Sequence, residues 1–188
     1  MRRKKEFLKK GGIYLIHYFV ADEYVKDVFQ IDLKKLKEAG KKVILTDLDN
    51  TLVGTAVKIP TPEIIAFLED AKGLGFEIII VSNNNRDRVS HFAKDLSLTA
   101  AHHKALKPLK LKMSRVLKKY DRSQVVMIGD QLMTDVLVAK RLGLYTILVE
   151  PIHLGSDETS TKINRRLEQV VIKKLRRRQL PIPPYLDK

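Results

Sequence analysis

Cysteine is absent from the chain. That excludes a disulfide framework, a thiolate zinc site and a cysteine nucleophile, and it fits a reducing compartment. Long apolar runs are absent too: nothing approaches the roughly 20 residues needed to span a bilayer. The longest run near the start, Ile13 to Val20, has eight residues with His17 inside it. A basic start before a short apolar run has the outline of a secretion signal, but Ala21-Asp22-Glu23-Tyr24 offers no small-residue cleavage site. The expectation is an intracellular, cytoplasmic chain. Internal repeats and low-complexity linkers are also missing, and 188 residues with 44% apolar composition suffice for one domain with a proper core.

Charge is present but confined. Residues 1–10 carry a net +5 and residues 162–178 a net +7, out of +14 for the whole chain. The remaining 161 residues are therefore nearly neutral. This is a neutral body with two basic ends, unlike a uniformly basic nucleic-acid packaging protein. Three zones follow: a basic lead-in over 1–42, a core over 43–150 and a basic extension over 151–188.

The core alternates between strand and helix signals. Apolar runs at Val43–Leu45, Phe76–Val81, Val125–Ile128 and Tyr145–Val149 predict strands, with a short one at Thr99–Ala101. Between them, helices are predicted from Thr61-Pro62-Glu63 onward, over Arg86–Leu96, over Leu109–Tyr120 and over Thr134–Leu142, the last stopped by Gly143. Ile31–Ala39 predicts a short helix in the lead-in, with Asp32 as cap. Strands apolar on both faces and separated by helices predict an α/β fold, a doubly wound parallel sheet covered on both sides. Ligands then bind beyond the carboxyl ends of the strands. In the extension, Ile163, Leu167, Val170, Val171 and Leu175 recur at helical spacing and predict a helix packed by that stripe. Ile13, Tyr14, Leu15, Tyr18 and Phe19 predict a packed N-terminal segment.

The chemistry-bearing residues stand where strands end. The first core strand runs into Asp47-Leu48-Asp49-Asn50-Thr51, which puts Asp47 and Asp49 on one side of an extended chain. Two such carboxylates can divide nucleophile or metal-ligand work from acid/base work. The second strand ends in Ser82-Asn83-Asn84, whose hydroxyl and amides can bind phosphate oxygens. Lys107-Pro108 precedes the next helix, and Gly129-Asp130 ends the following strand, with Thr134-Asp135 just beyond. Each of these alone is equally an ordinary turn or cap; converging on one sheet edge, they are not. His102 and His103 are adjacent and would alternate faces, so they do not form a metal pair.

The order and spacing of these residues resemble the haloacid dehalogenase-like superfamily, over residues 43–150. Asp47-Leu48-Asp49-Asn50-Thr51-Leu52 is similar to its first motif, Ser82-Asn83-Asn84 to the second, Lys107-Pro108 to the third and Gly129-Asp130-Gln131-x-x-Thr134-Asp135 to the fourth. The resemblance implies that Asp47 is the nucleophile and Asp49 the acid/base. It implies that Thr51, Ser82, Asn83 and Lys107 serve the phosphate, and that Mg²⁺ is held by Asp47, the backbone carbonyl of Asp49, Asp130 and, less directly, Asp135. It also implies a capless enzyme, because only nine residues separate Leu52 and Pro60 inclusive and only 24 lie between Ser82 and Lys107. Asp22 to Phe29, Lys34 to Gly40 and Thr46 to Val53 further resemble the YqeG-type, class IIIA phosphatases, a group similar to phosphatidylglycerophosphate phosphatases. That implies a lipid-phosphate substrate and gives the basic ends a use on anionic membrane at its inner face. Two other readings stay open: a phosphatase of nucleic-acid ends or of a soluble phosphometabolite, and a non-enzymatic RNA- or ribosome-binding module on the same core.

Overall fold

The structure, a computed structural model, describes residues 15–94, 96, 98–152 and 159–186, the last segment with side chains from residue 166 onward. The basic stretch at 1–10, Ile13, Tyr14 and Ile163 lie outside the described residues and side chains.

Six strands form one sheet in the order β1-β6-β5-β2-β3-β4, every neighbouring pair parallel. They are β1 (Glu23–Val25), β2 (Val43–Thr46), β3 (Glu77–Val81), β4 (Ala100–His102), β5 (Val125–Gly129) and β6 (Tyr145–Val149). The helices are α1 (Leu33–Glu38), α2 (Pro62–Gly73), α3 (Arg86–Ala93), α4 (Lys110–Val116), α5 (Leu137–Leu142) and α6 (Thr159–Arg177). This is the doubly wound α/β architecture that the sequence pattern predicts, with no domain inserted between β2 and α2.

Side chains alternate across each strand, so the central strands must supply two apolar faces. Ile44, Ile78, Ile80, Val126 and Ile128 go to one side, where Leu36 of α1, Ile64, Phe67 and Leu68 of α2, and Val89 and Phe92 of α3 cover them. Val43, Leu45, Ile79, Val81, Val125 and Met127 go to the other, against Met113, Leu117, Val138, Ala139 and Leu142. Local signals set the helix ends. Asp32 accepts from Lys35 N at 2.9 Å to start α1, Thr61 caps α2 before Pro62, and Gly143 takes the left-handed φ of 74° that closes α5.

Several details depart from the sequence reading. Strand β1, inside the supposed lead-in, extends the sheet at its edge, where Asp22 Oδ2 accepts from Thr146 N at 2.8 Å and Thr146 Oγ1 at 2.9 Å. Helix α3 ends at Ala93, and α4 gives way to a 3-10 turn at Leu117–Lys119. A π turn over Leu132–Val136 precedes α5. The stripe on α6 is split. Val171 and Leu175, with Ile172, are buried against Ile16, Ala21, Leu132, Val136 and Leu148, while Leu167 and Val170 are exposed. At the start of the described chain, Ile16 is the buried anchor; Leu15 and Tyr18 face out.

Candidate active site

All six strands run the same way, so their carboxyl ends share one edge, and the residues singled out from the sequence meet there. Asp47 follows β2, its N–H donating to Ile128 O on β5 at 2.9 Å. Asp130 follows β5, and Asp135 lies in the π turn. These three buried carboxylates each place an oxygen within 4.8 Å of the others. Lys107 reaches into them, its Nζ 2.5 Å from Asp47 Oδ1 and 2.6 Å from Asp135 Oδ1, and its side chain is 1% exposed. Thr51 is held over the cluster, its Oγ1 donating to Asp130 Oδ1 at 3.4 Å.

The turn Asp47–Val53 that carries these groups is built from the main chain. Thr51, Leu52 and Val53 all donate to Leu48 O, and Asn50 adopts φ 63° to let its N–H reach Val53 O at 2.7 Å. Asn tolerates this left-handed conformation better than most side chains. Gly129 has a different reason. A Cβ there would lie 2.4 Å from Asp135 Cβ and Cγ, so the missing side chain is the space Asp135 occupies. The freedom of backbone angle that a strand-ending glycine suggests is not used at this position.

One ammonium does not balance three carboxylates. Burial pushes the Asp47 carboxyl up to about 7, Asp135 and Asp49 push it the same way, and Lys107 opposes them. For Lys107, burial works against the charged form, but Asp135 and Asp47 outweigh it and hold the ammonium above the ordinary lysine range. The residual negative charge and the all-oxygen donor set suit a hard divalent cation such as Mg²⁺. Asp47, Asp130 and Asp135 would hold it, and it would offset their repulsion of a phosphate dianion.

Asp49 stands apart from this cluster. Its Oδ1 accepts from Arg88 Nε at 3.0 Å and Nη2 at 2.8 Å, and its Oδ2 from Asn84 Nδ2 at 3.1 Å. Ser82 is buried, and its Oγ accepts from Asn84 N at 3.1 Å, so the hydroxyl proton is not engaged in that bond. The Asn83 amide is committed elsewhere than the sequence reading expects. It donates to Lys107 O at 3.1 Å and accepts from Lys107 N at 2.8 Å, fixing the main chain of the lysine. Leu106, with φ 57°, turns the chain into that grip. Arg88 and Glu168 were not found from the sequence, and Asn84, named there with Ser82 and Asn83, was not expected to hold Asp49. Glu168 on α6 is buried and accepts from Leu132 N at 2.7 Å, which ties the C-terminal helix to the turn holding Asp135.

The family model of the haloacid dehalogenase-like hydrolases matches residues 5–143. The sequence is 41% identical over 163 residues to the probable phosphatase YqeG of Bacillus subtilis (strain 168), spanning 86% of this chain and 94% of that one. It is 27% identical over 167 residues to phosphatidylglycerophosphate phosphatase 1, chloroplastic/mitochondrial, of Arabidopsis thaliana, spanning 83% of this chain but 48% of that one. In fold it is similar to the crystal structure of an uncharacterized protein from Listeria monocytogenes serotype 4b, with a TM-score of 0.50 and 15% identity over 70% of this chain and 99% of the other.

Proposed function

The chain belongs to the haloacid dehalogenase-like hydrolases and is a phosphatase, and from that premise we propose that it hydrolyses a lipid phosphomonoester of the phosphatidylglycerophosphate kind with Mg²⁺, through an aspartyl-phosphate on Asp47. The observation that carries the chemistry is the opposite surroundings of two carboxylates two residues apart. Asp47 sits in the buried cluster with Lys107, and Asp49 sits on a polar arm of Asn84 and Arg88. Paired carboxylates pushed into different environments take different roles.

In the first step Asp47 attacks phosphorus and the bond to the leaving oxygen breaks, with Asp49 supplying the proton to that oxygen. In the second, Asp49 takes a proton from water, whose oxygen attacks phosphorus and returns the Asp47 carboxylate. The sum is ester plus water giving alcohol plus inorganic phosphate. Ser82 and Lys107 hold phosphate oxygens through O–H and N–H donors that exist before substrate arrives. Asn83 and Thr51 serve at one remove, by fixing Lys107 and the carboxylate cluster. Asp47, Asp130 and Asp135, with the Asp49 main-chain carbonyl as a further oxygen, would hold Mg²⁺, which would supply charge neutralisation.

The lipid part of the reading is supported by the similarity to the Arabidopsis phosphatase and by a site over which, among the described residues, no inserted domain closes. On α6 and at its end, Lys173, Lys174 and Arg176 to Arg178 are exposed, as are Leu167 and Val170, a surface suited to anionic lipid. Among the described residues no helix is long and apolar enough to cross a membrane. The test is phosphate release with Mg²⁺ from phosphatidylglycerophosphate in mixed micelles, nucleotides, sugar phosphates and 3′-phosphorylated oligonucleotides. Asp47→Asn is expected to lose about three orders of magnitude or more on the best substrate; wild-type activity in that variant sinks the mechanism. Preference for a sugar phosphate or an oligonucleotide end sinks the lipid assignment. Co-sedimentation with anionic but not neutral vesicles, lost when the exposed Lys173, Lys174, Arg176 and Arg177 are replaced by glutamine, tests the surface.

A further inference from the structure

We propose that Lys58, Arg88 and His91 form a subsite for a second anionic group on the leaving group of the substrate, and that Arg88 is a positioning residue coupling that subsite to Asp49. The inference rests on the acid/base role proposed for Asp49.

Next to Asp49, through Arg88, an open cleft of about 310 Å³ is lined by Lys58, Asp87, Arg88 and His91, none of which belongs to the carboxylate cluster. It has room for a phosphate with its linker. Two permanent cations and an imidazole face one carboxylate there, in a part of the chain that is otherwise nearly neutral. The group that protonates the leaving oxygen marks the side on which the leaving group lies. Arg88 touches that group, so the cavity it lines is on the leaving-group side.

Arg88 stands between the two. Its Nε and Nη2 donate to Asp49 Oδ1, and Nη1 makes a 3.5 Å contact with Lys58 O. A guanidinium carries five N–H groups, so donors remain for an anion in the cavity. The side chains of Arg88 and Asp49 are only 12% and 14% exposed, so water competes weakly for them. With Asn84 on Oδ2, both oxygens of Asp49 accept N–H bonds in this state. An anion that draws Arg88 toward the cavity releases Oδ1 to face the leaving oxygen. A second anionic group would therefore raise kcat as well as lower KM.

Glycerophosphoglycerol phosphate and glycerol 3-phosphate separate the subsite from lipid effects, because both lack acyl chains and only the first carries an internal phosphodiester. Wild-type kcat/KM is expected to favour the first by about tenfold or more, the scale of one charge-assisted hydrogen bond, with part of the difference in kcat. Arg88→Gln should bring the ratio near one, and Lys58→Gln, at an exposed position, should lower it through KM. Arg88→Lys should restore part of the KM difference but not the kcat difference, since a point charge cannot hold Asp49 through two N–H bonds. Calorimetry with glycerophosphoglycerol, which carries the diester and no monoester, should show binding that Lys58→Gln weakens. A wild-type ratio near one, or a ratio unchanged in both Gln variants, overturns the subsite alone. Turnover of neither compound, nor of any ester in the screen, overturns the proposed function and the subsite with it.

Discussion

Replacing Gly129 by alanine should disorganise the acidic cluster from behind. The added Cβ would lie 2.4 Å from Asp135 Cβ and Cγ and 2.6 Å from Oδ2. Carbon atoms rest at about 3.5 Å or more, so Asp135 must retreat by about 1 Å. That stretches its 2.6 Å contact with Lys107 and its 3.2 Å acceptance from Gln131 N beyond hydrogen-bond length. Overpacking costs about 1–3 kcal/mol, and weakening a buried ion pair adds part of the about 3–5 kcal/mol that breaking one costs. A total near 3–4 kcal/mol lowers Tm by roughly 10 °C in a chain of this size. Thermal unfolding in EDTA reads that loss, and repeating it with excess Mg²⁺ reads the cation site, since a ligand bound only to the folded state raises Tm. The Mg²⁺ gain should shrink in the variant. Because Asp135→Gly removes the colliding atoms, Gly129→Ala should cost little more in an Asp135→Gly background, whereas in an Asp135→Ala background, which keeps the colliding Cβ, it should still cost the overpacking. A Gly129→Ala protein melting within about 2 °C of wild type, with an undiminished Mg²⁺ gain, refutes the reasoning.

Two further outcomes follow from the same geometry. The folded protein holds the Asp47 carboxyl near 7, above its ordinary 3.8, so this group favours folding fully below about pH 4 and loses that contribution as pH rises through 7. In EDTA, wild type should therefore lose stability relative to Asp47→Asn between pH 4 and 7, and excess Mg²⁺ should cancel the loss while Mg²⁺ binding releases a proton; a difference of opposite sign by denaturant titration counts against the buried cluster. Glu168→Ala removes the acceptor of the buried Leu132 N–H and should cost about 1–3 kcal/mol in urea unfolding, with Glu168→Gln milder; an Ala variant as stable as wild type would mean that the helix does not hold the turn.

How much of this could be read from the residues depends on the range of the interaction. The central strands are apolar on both faces and announce themselves, as do the caps at Asp32 and Thr61 and the stop at Gly143, which act within four residues of their own position. The site's main carboxylates were legible because a parallel sheet brings strand ends together whatever else happens. β1 was not: three half-buried residues at a sheet edge make no apolar run. The grip of Arg88 and Asn84 on Asp49 was not, because they reach it across 39 and 35 residues, and an arginine on a helix is by default a solvated one. Glu168 sat in a basic, helix-forming stretch where a single acid has every reason to face water, and only the fold turns it inward. The bond of Asn83 to the Lys107 main chain was not legible either, since an amide serves a phosphate and a peptide group equally well.

The Asn83 amide is also a mechanical element. Beyond the last residues of β3 and β4 the two chains continue to exchange bonds, from Ser82 N to His102 O, Ala105 N to Ser82 O and Lys104 N to Asn84 O. Asn83 then closes a two-bond ring with the Lys107 main chain, a side chain standing in for a strand that has already ended. The sheet is in effect one rung longer than its backbone. Ser82 and Lys107 thus ride on a single stiff plate, and the ordering entropy of gathering them is met during folding rather than at each encounter with substrate.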